Sequence, residues 1–118
     1  MDPQYIKPKN LSHRSDVTVW NAVAYFAGII PPHNLLSITE QTEKNIDGGN
    51  RHLAAAEIYK SQLLMAMIHM TDAGRYVAAF NAAGSAWLKP NRLPVQTCVG
   101  AGLQGDAYFE AKVTVAVP

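Results

Sequence analysis

The clearest alternation of apolar and polar residues lies near the end of the chain. From Tyr108 to Val117, one face collects Phe109, Ala111, Val113, Val115 and Val117, and the other collects Tyr108, Glu110, Lys112 and Thr114. This predicts a strand with one apolar and one semi-polar face. Val95-Gln96-Thr97-Cys98-Val99 alternates in the same way, so Gln96 and Cys98 point together. Val17–Trp20 and Val23–Ala27 flank the turn candidate Asn21-Ala22 and read as a hairpin stopped by Gly28 and Pro31-Pro32. Leu63–Met70 is apolar at nearly every position, the pattern of a strand covered on both faces; its methionines also fit a buried helix, and the short length and the turn Thr71-Asp72-Ala73-Gly74 after it favour the strand.

Two stretches follow the helical period instead. Ser37-Ile38-Thr39-Glu40 has the form of a capping box opening a helix that runs to about Ala56, with Ile38, Thr42, Ile46, Gly49 and Leu53 on one face. Gly48-Gly49 within it costs roughly 1 kcal/mol per glycine relative to alanine, so the helix either packs its backbone closely there or bends. Tyr76, Val77, Phe80, Ala83 and Trp87 give the alanine-rich segment from Ala73 to Leu88 an amphipathic face, and Pro90 ends it. Residues 1–13 form an irregular lead-in or a short edge strand, and no regular core element precedes Val17. The order of elements predicts one α+β domain over residues 1–118: a mixed sheet with both helices on one face. The other face then needs a cover, for which a partner subunit is the obvious candidate.

Composition narrows the possibilities. Ten Lys+Arg stand against nine Asp+Glu, a net charge of +1, so no strong field gathers nucleic-acid phosphates. The four histidines, His13, His33, His52 and His69, lack the close spacing of zinc ligands, and His69 in an apolar strand reads as a hydrogen-bonded core residue. Gly100-Ala101-Gly102-Leu103-Gln104-Gly105 lies between two strands with no helix opening after it, which excludes a dinucleotide fingerprint. No cofactor or metal is implied. The lone Cys98 forms no disulfide within the chain, the N-terminal residues lack the pattern of a secretory signal, and no apolar run reaches the ~20 residues of a membrane span. A cytoplasmic protein without a membrane segment is expected.

Pro94-Val95-Gln96-Thr97-Cys98-Val99, followed by Phe109-Glu110, resembles the signature of the Rid family, also labelled YjgF or endoribonuclease L-PSP. Its order is proline, any residue, arginine, small residue, cysteine, apolar residue, then an apolar-Glu pair. Tyr25 to Pro31, Met67 to Asp72 and Phe80-Asn81 through Trp87 are similar to further family segments, so the likeness covers roughly Arg14 to Val117. It implies a chorismate-mutase-like fold, a homotrimer with a central β-barrel, and clefts between subunits. It also implies hydrolysis of reactive enamines and imines, such as 2-iminopropanoate, to keto acid and ammonia.

Carried over residue by residue, the resemblance implies a site of Glu110 and Cys98 as catalytic residues, with Gly28, Asn81, Gln96 and Arg14 binding a keto or imino acid. A carboxylate is well met by a bidentate guanidinium, and attack on an iminium carbon needs a water oriented by a carboxylate. Glu110 answers the second need. Gln96 stands where the family has arginine and brings neither charge nor fork geometry; Arg14 is the candidate to supply that charge from another direction. Three readings follow: imine or enamine hydrolysis, a non-catalytic binder of a small carbonyl metabolite, and, more weakly, a ribonuclease, for which neither a paired-histidine arrangement nor a basic stripe is present.

Overall fold

The computed structural model describes residues 2–7, 10–29, 37–55, 62–88, 93–105 and 107–117. Eight elements follow in chain order: β1 (Gln4–Ile6), β2 (Val17–Trp20), β3 (Val23–Phe26), α1 (Ile38–Ala55), β4 (Leu63–Met70), α2 (Ala73–Leu88), β5 (Val95–Gly100) and β6 (Phe109–Ala116). The six strands make one sheet in the order β1-β2-β3-β6-β4-β5. Only β4 and β5 run parallel, and α2 makes the crossover between them. β3 and β4 are both antiparallel to β6, so α1 links two strands with the last strand of the sheet between them.

Local chemistry sets the boundaries. Asn21 and Ala22 both take left-handed backbone, φ 52° and 61°, which closes the two-residue β2–β3 turn. Asparagine tolerates that region; alanine does so at a cost of about 1 kcal/mol. At the start of α1, the Glu40 N–H donates to Ser37 Oγ (3.1 Å) and the Ser37 N–H returns to Glu40 Oε1 (3.3 Å), which is the expected capping box. The helix runs unbroken to Ala55. The packing of Gly48 and Gly49 lies outside the described residues, as do the expected stops at Pro31-Pro32 and Pro90.

Both helices lie on one face of the sheet and are joined by a bond from Trp87 Nε1–H to Asn50 Oδ1 (3.2 Å). One core cluster joins Val17, Ala24, Phe26, Leu53, Leu63 and Val115; a second joins Ile68, Met70, Phe109 and Ala111. Phe80 of α2 meets Phe109 edge-on at 4.9 Å. Burying a phenylalanine such as Phe26 or Phe109 stabilises by about 2–3 kcal/mol. The predicted strand faces hold on β6, where Phe109, Ala111 and Val115 are buried towards the helices.

β4 departs from expectation. It is covered on one face, not two: Ile68 and Met70 are buried, whereas Leu64 is 46% exposed and Met65 also opens outward. The register shifts between Leu63 and Met65, so Leu64 is an extra residue bulged out of the ladder to β6. Within one chain, α1 and α2 supply cover for a single face, and no element among the described residues lies over the other. No helix among the described residues is long and apolar enough to cross a membrane.

Candidate functional site

The site begins with a row of buried polar residues on α1. Gln41, Thr42 and Asn45 are buried, and each is satisfied. Gln41 Oε1 accepts from the Tyr108 N–H (2.9 Å), Thr42 Oγ1 donates to the Ile38 carbonyl (2.7 Å), and Asn45 Nδ2 donates to the Ile29 carbonyl (2.7 Å). The Asn45 bond holds Ile29 where it pairs with Ala111 in both directions, Ile29 N–H to Ala111 O at 2.7 Å and Ala111 N–H to Ile29 O at 3.1 Å. That pairing sets Gly28 beside Glu110.

Contact between Gly28 and Glu110 is so close that a Cβ on Gly28 would stand 2.6 Å from Glu110 Cδ and 2.7 Å from Oε1. The missing side chain is therefore the space in which the carboxyl group lies. Glu110 is half-buried on the open face of the sheet and has no hydrogen-bond or ion-pair partner among the described residues. It lines a broad cleft of about 510 Å3 with Tyr5, Ser15, Thr18, Tyr25, Phe26, Ala27, Gly28 and Lys112. Thr18 and Tyr25 are a cross-strand pair, so their hydroxyls share this face.

Gln96, Cys98 and Asn81 form a separate group. Gln96 and Cys98 point together, as predicted, but towards the helices: Cys98 packs on the Ile68–Phe109 cluster, and Gln96 Nε2 donates to Asn81 Oδ1 on α2 (3.2 Å). Gln96 and Asn81 border a small pocket of about 140 Å3 with Phe80, Ser85, Leu93 and Pro94. Burial pushes the Cys98 thiol up from its ordinary value, which keeps it protonated at neutral pH. Its backbone is another matter. The Ala101 N–H bonds to the Met70 carbonyl, and in a parallel pair alternate residues address the neighbouring strand, so Gln96, Cys98 and Gly100 turn their N–H and C=O groups to the free edge of β5.

Arg14 is already engaged, with Nη1 2.6 Å from Oδ1 of Asp16; Asp16 is 4% exposed, so the guanidinium neutralises a buried carboxylate. Within one chain the six predicted site residues thus fall into the pair Gly28–Glu110, the group Gln96–Asn81–Cys98 behind the sheet, and Arg14 bound to Asp16.

The geometry brings forward two residues that sequence reasoning gave no place in the site. Lys112, two positions after Glu110, shares its cleft; strand parity carried that signal. His69 is directly opposite Glu110 across the β4–β6 ladder. It was read as hydrogen-bonded, yet its buried Nδ1 has no partner among the described residues.

No family model matches the chain. A RutC family protein of Haemophilus ducreyi is 29% identical over 104 residues, 87% of this chain and 88% of that protein. Among solved structures, a YjgF family member from Neisseria meningitidis superposes with a TM-score of 0.89 at 28% identity, covering 100% of this chain and 97% of that one. A protein described as a putative translation initiation inhibitor from Salmonella typhimurium gives 0.84 at 27%, covering 98% of both chains. The mixed sheet with two helices is the YjgF, chorismate-mutase-like fold predicted from the sequence.

Proposed function

We propose, from the 29% identity to a RutC family protein and the 28% identity to a YjgF family structure, that the chain acts as a RutC/YjgF/Rid family protein and hydrolyses a small imine or enamine to a carbonyl compound and ammonia, with Glu110 as the general base. The observation that carries this is the carboxylate of Glu110, unpartnered and laid over Gly28 in an open cleft. Glu110 takes a proton from water as the water oxygen bonds to the iminium carbon and the C=N π pair moves to nitrogen. The resulting carbinolamine receives that proton on nitrogen, the C–N bond breaks with its pair on ammonia, and the hydroxyl proton leaves to Glu110 as the carbonyl forms.

The working unit in this reading is a homotrimer in a reducing cytoplasm. Its central barrel covers the open sheet face, on which Tyr25, Leu64 and Met65 are exposed, and a neighbour closes the free edge of β5, where Val95 is 69% exposed. Assembly then makes each cleft an intersubunit one to which the backbone groups of Cys98 contribute. A second reading is a non-catalytic binder of a small carbonyl metabolite. It is favoured by the Gln96–Asn81 bond, which puts a neutral amide, tied to α2, where the family has a guanidinium.

The test is release of keto acid and ammonia from freshly generated 2-iminopropanoate by the protein and by Glu110→Ala and Gln96→Arg. Activity lost in Glu110→Ala supports hydrolysis. Activity found only in Gln96→Arg refutes it for this substrate and supports binding.

A further inference from the structure

We propose that Lys112 is the anion anchor of the Glu110 cleft: its ammonium holds the carboxylate of a 2-imino or 2-oxo acid while the reacting carbon lies towards Glu110. The inference rests on the functional reading above for the placing of Glu110, and on observations of its own for the charge.

Glu110 and Lys112 leave the same face of β6, two residues apart, and line one cleft. Their Cα atoms are about 7 Å apart, which suits a carboxylate and its adjacent carbon held between the two groups. They do not neutralise each other, since no contact between them falls within ion-pair distance, and Lys112 has no other partner among the described residues. Lys112 is also the sole cation among the described residues lining the cleft. The two rival sources of charge are committed elsewhere: Arg14 to the buried Asp16, and position 96 to a neutral amide facing α2. Thr18 and Tyr25 complete an acid-binding corner with hydroxyl donors on the same face. A lysine is a flexible point charge, so the site fixes the charge of its ligand more strictly than its orientation.

The experiment measures binding apart from turnover. Pyruvate, the product of 2-iminopropanoate hydrolysis, and its neutral amide pyruvamide are titrated by NMR into the full chain, Lys112→Met and Lys112→Arg, with circular dichroism confirming that each variant is folded. The expected result is pyruvate affinity reduced roughly tenfold or more in Lys112→Met, retained in Lys112→Arg, and pyruvamide affinity equal in all three. Pyruvate binding that is absent from the full chain, unchanged in Lys112→Met, or lost together with pyruvamide binding would overturn the anchor. If pyruvate binding depends on Lys112 while no imine hydrolysis is detected, the anchor stands and the hydrolytic reading falls. If hydrolysis proceeds with the same KM in Lys112→Met, the hydrolytic reading stands and the anchor falls.

Discussion

The two faces of the sheet obey different rules. Beneath the helices, Phe26, Ile68, Met70, Phe109 and Val115 are all at 2% exposure or less, and the buried amides of α1 find partners. On the opposite face, Glu110 and Lys112 alternate with the buried Phe109 and Ala111 along β6, yet neither has a partner among the described residues. One strand therefore carries both the packing and the chemistry, separated only by the parity of position. Stability and activity should then be separable by mutations at adjacent residues.

The largest expected break in that separation is on the covered face. Phe109→Ala removes a fully buried ring in contact with Phe80 and should cost about 3–5 kcal/mol, read as a fall in the urea midpoint. Gly28→Ala probes the open face. Gly28 is not in the left-handed region, so the backbone accepts alanine, but the new methyl must displace the Glu110 carboxyl. Hydrolysis should fall by roughly tenfold or more, as expected for a misplaced general base, while the urea midpoint moves little and pyruvate binding persists. The smallest effect belongs to neither face. Ala22→Gly relieves left-handed backbone at the hairpin tip and should raise stability by about 0.5–1 kcal/mol in the same denaturation assay.

Much of this was legible wherever the deciding interactions are short-range. The hairpin turn at Asn21-Ala22, the Ser37–Glu40 box and the alternation of β6 are written within a few residues. Features that depend on distant partners were not. Gln41 and Asn45 look like exposed helix polars until Tyr108, 67 residues away, and Ile29, 16 residues away, accept or donate their bonds. The uniformly apolar β4 gave no hint of its bulge or of its single covered face, because hydrophobicity alone does not count layers. In the site, motif spacing put Gln96, Cys98 and Glu110 on one list. Only the sheet's register shows that the first two face the helices and the third faces away. Arg14 was a candidate to supply charge to a ligand, and a carboxylate two residues on, Asp16, already holds it.

The place of β6 in the sheet also bears on how the chain is made. It is the last strand in sequence and lies between β3 and β4. During synthesis, the β2–β3 hairpin and the β4–α2–β5 unit emerge first, each with an apolar face and a vacant ladder on the side that β6 will fill. Neither has a strand in common with the other until residues 109–116 clear the ribosome. A chain interrupted just before that point would hold Val17, Phe26, Leu63 and Ile68 but lack Phe109, Ala111 and Val115, so the two units would be missing both a share of each core cluster and the ladder that joins them.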